Sequence, residues 1–174
     1  LKLAQNFLRY RWLLTYLYGA SPIAEEGFFS KTLAKPVRSI RNSHLGYVNH
    51  KDIQVSYESL EKYISDIEAY IASGKLIAEK EFYSAVRLRG SKQNRDYLKN
   101  GVTYLELRTF DLNPFDNRGI TQETLDTVHL FVLALLGRKP RFEICEGFAV
   151  HFGEQVGKLR LYRRAVDVIP DRKS

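Results

Sequence analysis

The sequence predicts an α+β fold. Three runs carry a helical period, at residues 2–18, 57–73 and 121–136. Two more, at 79–89 and 102–112, alternate in the manner of half-buried strands. A chain of 174 residues suits one domain and is long enough to bury a core. Hydrophobic content of 44% and charged content of 27% are ordinary for a soluble globular protein.

Several function classes are disfavoured at once. The net charge is +7, but residues 138–174 hold nine Lys/Arg against five Asp/Glu and supply more than half of it. No basic stripe runs along the predicted elements, so a nucleic-acid partner is not expected. No apolar run is long enough for a membrane span, and none is expected. The single Cys145 cannot form an internal disulfide framework and fits a reducing, cytoplasmic compartment. Met is absent and residue 1 is Leu, so the chain is expected to be a piece of a longer protein.

Taken in order, the first helix is expected over 2–18, with Leu3, Phe7, Tyr10, Leu14 and Leu17 on one face. Gly19 can take the left-handed position that ends it, and Pro22 prevents continuation. Residues 20–36 are expected to be a long loop, 37–41 (VRSIR) a short strand, and the polar run from Asn42 to Tyr47 a turn or binding loop. Tyr57, Leu60, Ile64, Ile67 and Ile71 line one face of the 57–73 helix, which Gly74 stops. In the 79–89 strand, Tyr83, Arg87 and Arg89 share one face and Phe82, Val86 and Leu88 the other. Ser91 to Asn100 is polar and reads as a surface loop. Thr121 is the expected N-cap of the last helix, with Glu123 in its first turn and Gly137 as its stop. Apolar residues surround the second half of that helix, so deep burial is expected. The tail from 138 to 174 is weakly patterned and is treated as a separate segment from 1–137.

The most informative stretch is YLELRTFDLNPF, Tyr104 to Phe115. Alternation puts Val102, Tyr104, Glu106, Arg108 and Phe110 on one face and Thr103, Leu105, Leu107 and Thr109 on the other. The second is an ordinary core face. The first sets an acid beside a base among aromatic residues, and Pro114 ends the strand. Two readings are open at this point. One is a cross-strand salt bridge on a wetted face. The other is a hollow holding a cation at Glu106 and a phosphate or carboxylate at Arg108. Arg41, Tyr47 and Tyr83 could grip a carboxylate together if their segments are neighbours. For each Tyr alone, core packing is the default, and for Arg41 a surface charge.

Other chemistry lacks its motif. His44, His50, His129 and His151 match no zinc spacing, and His129 reads as a core residue. No Gly-rich phosphate loop is present. A nucleotide would have to be held by metal-bound carboxylates and arginines.

Four ordered motifs resemble one family: FLRYRWLLTYLYGASP (7–22), RSIRNSHLGYVN (38–49), EKEFYSAVRLRG (79–90) and GVTYLELRTFDLNPFDNRGI (101–120). Together they are similar to bacterial glutamate–cysteine ligases, in the form fused to a glutathione synthetase module. The resemblance spans about residues 3–136. It implies a glutamine synthetase-like, curved, mainly antiparallel sheet with helices on one face, of which 1–137 would be a part. It implies ATP and Mg²⁺ as cofactors, glutamate and cysteine as substrates, and the first step of glutathione biosynthesis as the reaction. By position, Arg41, Tyr47 and Tyr83 match contacts to the cysteine carboxylate. Glu106 matches a metal ligand, and Arg108 an arginine that reaches the transferred phosphate. The family's further metal-binding acids have no counterpart here, so this chain alone is expected to be inactive. A related carboxylate–amine ligase, or a domain of the same fold without turnover, are the alternatives.

Overall fold

The computed structural model describes residues 1–30, 35–46, 48–49 and 52–139. The tail beyond Lys139 and Tyr47 therefore lie outside the described residues.

The N-terminal helical run forms two segments, α1 (Lys2–Tyr10) and α2 (Trp12–Tyr18). Arg11 between them keeps helical angles, donates its N–H to Phe7 O at 2.8 Å and accepts from Thr15 N at 3.1 Å. The buried stripe is Ala4, Phe7, Leu8 and Leu14, whereas Leu17 of the expected face is exposed. Gly19 closes α2 in an extended conformation (φ −61°, ψ 129°) and not in the left-handed one. A side chain is excluded there because a Cβ would stand 2.5 Å from Arg38 O and 2.7 Å from Thr15 O.

The expected 37–41 strand is only a parallel bridge between Ser21 and Ser39. α3 (Leu60–Ala72) starts later than the apolar period suggested, because Ser59 accepts the Lys62 N–H and caps it. Gly74, at φ +73°, follows it as expected. Tyr57 precedes α3 and is fully buried; its hydroxyl lies 3.0 Å from Val86 O and 2.7 Å from Ser84 Oγ.

The predicted 79–89 strand divides. Glu79–Glu81 is a 3₁₀ turn, and β1 covers Val86–Arg89. Asn94–Asp96 and α4 (Tyr97–Asn100) follow, and the buried Tyr97 donates to Leu88 O at 2.9 Å. β2 (Tyr104–Leu107) is shorter than the alternating run and pairs antiparallel with β1, Val86 opposite Leu107 and Arg87 opposite Glu106. This register places Val86, Leu88, Leu105 and Leu107 on the core face. The two leucines of β2 are half-buried against it.

α5 (Gln122–Leu136) begins at Thr121, whose side chain accepts the Thr124 N–H at 3.1 Å. One stripe, Thr124, Val128, Phe131 and Leu135, faces the core, and Phe131 meets Phe7 edge-on at 6.0 Å. The Asn6 amide donates to Leu135 O and Arg138 O at 2.9 and 3.0 Å, closing the end of α5 onto α1. Deep burial of α5 does not occur. Leu130, Leu133 and Leu136 are exposed among the described residues, and so is His129. Apolar composition all round a helix states what it could bury, while the packing here covers a single stripe.

One core unites these elements through Phe7, Leu8, Val55, Tyr57, Ile67, Phe82, Val86 and Leu88. Each large apolar side chain fully removed from water contributes about 1.5–3 kcal/mol. The resulting architecture is α+β, helices around a small antiparallel sheet.

Candidate functional site

The site grows from the end of β2. Arg108 N donates to Ala85 O at 2.8 Å, which carries the ladder one residue past the strand and holds the Arg108 backbone in register. Across from it, Tyr83 is gripped on both sides by one amide: Asn49 Nδ2 donates to Tyr83 O at 2.6 Å, and Tyr83 N donates to Asn49 Oδ1 at 2.9 Å. The Arg108 guanidinium sits over the Tyr83 ring, 5.1 Å from its centre. The third party comes from the loop before. Arg41 Nε donates to Arg108 O at 3.1 Å, and the next residue, Asn42, donates from Nδ2 to Thr109 O at 2.7 Å.

Arg41, Tyr83 and Arg108 thereby line one hollow of about 530 Å³, together with Lys80, Glu81 and Phe82. Three of the six are cations. The one carboxylate, Glu81, accepts the Ile77 N–H, which commits part of its acceptor capacity to the turn. Lys80 lies in the 3₁₀ turn at 79–81, which Glu79 ties to Asn94 N at 3.0 Å. Strand alternation over 79–89 puts Lys80 on the face opposite to Tyr83; the 3₁₀ turn breaks that alternation, and both residues line the hollow. Asn49 was missed too, since an Asn in a polar loop carries no sign of the backbone it will hold.

Glu106 does not line this hollow and meets the group only through an ion-pair contact with Arg108. Its Oε2 accepts from Arg89, with Nε and a terminal nitrogen both at 2.6 Å. Its Oε1 lies 3.7 Å from Arg108 Nε, beyond hydrogen-bond reach. The two side chains of the Arg89–Glu106 pair are 37% and 36% exposed, so this is a wetted cross-strand salt bridge. The carboxylate holds the Arg89 guanidinium above its ordinary pKa, chiefly through the hydrogen bond. Of the two readings of the central strand, the salt bridge describes Glu106 and the hollow describes Arg108. No group of three or more His, Cys, Asp or Glu that could hold a metal occurs among the described residues. Glu106 Oε1 could supply no more than one ligand to a Mg²⁺.

The comparisons agree with one another. The glutamate–cysteine ligase family profile matches residues 1–76 and 73–147. The chain belongs to the glutamate–cysteine ligase family. It is 74% identical over 136 residues to the glutathione biosynthesis bifunctional protein GshAB of Streptococcus mutans serotype c, covering 78% of this chain and 18% of that protein. The GshAB of Enterococcus faecalis is 50% identical over 161 residues, 90% of this chain and 21% of the relative. The chain thus spans about a fifth of the length of these relatives. The crystal structure of a bifunctional glutathione synthetase from Pasteurella multocida superposes with a TM-score of 0.75 at 43% identity, over 88% of this chain and 20% of that one. A glutamate–cysteine ligase from Francisella tularensis in complex with AMP gives 0.64 at 25% identity, over 80% and 36%. No helix among the described residues is long and apolar enough to cross a membrane.

Proposed function

We propose that this chain forms part of the catalytic domain of an ATP-dependent glutamate–cysteine ligase, which joins the glutamate γ-carboxylate to the cysteine amino group. The observation that carries this is the meeting of Arg41, Tyr83 and Arg108 at a single cationic hollow. In the two-step reaction, a γ-carboxylate oxygen attacks the terminal phosphorus of ATP and ADP leaves. The cysteine amine then attacks the acyl phosphate carbon, loses its proton, and phosphate departs. Such transfer is positioning and charge neutralisation.

The residues divide that work by chemistry. The Arg41 fork suits the cysteine carboxylate, with Tyr83 and Tyr47 alongside. Arg108 suits the charge that develops on the phosphoryl group. Because Arg41 is tied to the Arg108 carbonyl, the amine acceptor and the phosphoryl group are brought to adjacent positions. Glu106 would contribute one ligand to Mg²⁺, which would supply charge neutralisation to the phosphates. The sheet belongs, in this reading, to a larger glutamine synthetase-like curved sheet. A glutathione synthetase module is the expected fused partner, in keeping with the bifunctional relatives, and the cytoplasm the expected compartment.

The test is phosphate release and dipeptide formation by a protein carrying this sequence, supplied with ATP, Mg²⁺, glutamate and cysteine. One phosphate per dipeptide is expected. Substrate binding without phosphate release would instead favour a domain without turnover. Faster turnover with another amine than with cysteine would favour a related carboxylate–amine ligase.

A further inference from the structure

We infer that Asp111 is a positioning residue for Arg41 and acts through Ser21; the inference rests on the reading of Arg41 as the carboxylate grip. Asp111 follows β2 in the loop that leads to Pro114. Its Oδ2 accepts two hydrogen bonds from one distant segment, from Ala20 N and from Ser21 Oγ, both at 2.9 Å. Ser21 in turn takes the Ile40 N–H on two atoms, its carbonyl at 2.8 Å and its Oγ at 3.0 Å. A serine hydroxyl has one proton and two lone pairs. The carboxylate can only accept when ionised, so it claims that proton and leaves a lone pair for Ile40 N. The direction of the whole chain of bonds is set by the acid at its end.

The consequence falls on the residue after Ile40. The Arg41 backbone is pinned on one side by Ile40, through Ser21 to Asp111, and on the other by Asn42, through Thr109 O. Both pins lead to the same stretch, 108–111, that carries Arg108. Two fixed points on one strand extension define where the Arg41 side chain starts, and a guanidinium held off its line loses a charge-assisted hydrogen bond, on the order of tenfold in affinity. Arg38 anchors the segment independently, donating to Tyr16 O at 2.7 Å and Leu17 O at 2.9 Å. Loss of the Ser21 hydroxyl leaves the segment docked, with Ile40 N still on the Ser21 carbonyl, and removes the side-chain link from Asp111 to the end that bears Arg41.

The experiment compares Ser21→Ala, Asp111→Ala, Asp111→Asn and Arg41→Ala, singly and paired with Arg41→Ala, in a ligase-active protein carrying this sequence. Ser21→Ala and Asp111→Ala are expected to raise the KM for cysteine about tenfold, with the KM for glutamate and kcat within about twofold. Asp111→Asn, which keeps an acceptor oxygen, is expected to recover most of the loss. In the Arg41→Ala background neither change should raise the KM further, since coupled residues are not additive. If Arg41→Ala itself leaves the cysteine KM unchanged, the carboxylate-grip reading fails and the positioning role with it. If Arg41→Ala raises it but Ser21→Ala does not, or the two effects multiply, the positioning role alone is overturned. A purely structural role would lower kcat through lost active protein with both KM values unchanged, and would equally overturn it. Should Asp111→Ala not fold, Ser21→Ala decides the question.

Discussion

Arg41 donates from Nε to the backbone carbonyl of Arg108 at 3.1 Å, so segments 67 residues apart are joined at the hollow that both arginines line. The side chain of one is held by the backbone of the other. Both side chains line the open hollow, where water or an anion can offset their like charge. The terminal amino groups of Arg41 make no hydrogen bond among the described residues.

Arg41→Ala is expected to raise the KM for cysteine by about tenfold or more, the worth of a charge-assisted hydrogen bond of roughly 1.5–3 kcal/mol. The glutamate KM should move by less than about twofold. Arg41→Lys should recover only part of the loss, since an ammonium lacks the planar fork. Initial-rate kinetics with each amino acid varied in turn provide the check, and equal effects on both substrates would remove Arg41 from the cysteine site.

Glu106→Gln is expected to shift the Mg²⁺ dependence of turnover to higher concentration while the fold stays intact. The Arg89–Glu106 pair that it breaks is over a third exposed on both sides, so the stability cost should stay below about 1 kcal/mol. A Mg²⁺ titration of rate, alongside thermal unfolding, separates the two effects. An unmoved titration would leave Glu106 as a salt-bridge residue only.

Tyr57→Phe deletes a buried hydroxyl that serves Val86 O and Ser84 Oγ. The ring keeps its packing against Tyr63, 5.1 Å away, and Ser84 Oγ keeps the Val86 N–H, so the cost is the hydrogen bond lost at Val86 O, about 1 kcal/mol. Urea unfolding should show a lower midpoint with an unchanged slope. No change in midpoint would mean that water or another group replaces the hydroxyl.

Ser59→Ala removes the N-cap of α3, whose hydroxyl accepts the Lys62 N–H at 3.1 Å. About 1 kcal/mol of stability should be lost, and Ser59→Asp should restore most of it. Equilibrium denaturation of the two variants provides the comparison.

Much of the secondary structure could be read from local chemistry. Thr121 caps α5 with its side chain as expected, and Gly137 closes it, in helical angles (φ −72°, ψ −16°) that any residue adopts. Gly74 follows α3 at positive φ, where glycine has no steric penalty. Strand limits were less legible. The alternation at 102–112 continues past the point where β1 supplies a partner, and only Tyr104–Leu107 pairs as strand. A strand's end depends on its neighbour's length, which the strand's own residues do not encode. The same gap explains α5, whose leucines at 130, 133 and 136 announce burial while the packing covers only the opposite stripe.

The candidate site divides along the same line. Residue types and alternation were enough to single out Glu106 and Arg108, because acids and bases among aromatics are costly to place without partners, while Arg41 and Tyr83, whose defaults were a surface charge and core packing, stood out only through the family resemblance. Which of them meet was decided in three dimensions. Arg41 and Tyr83 join Arg108, while Glu106 turns to Arg89, and Lys80 and Asn49 enter from turns that carry no periodic signal. Chemistry is written in each side chain separately. Proximity is set by hydrogen bonds that link residues 20–21, 39–42, 83–85 and 108–111, and those depend on where the whole chain has brought its backbone.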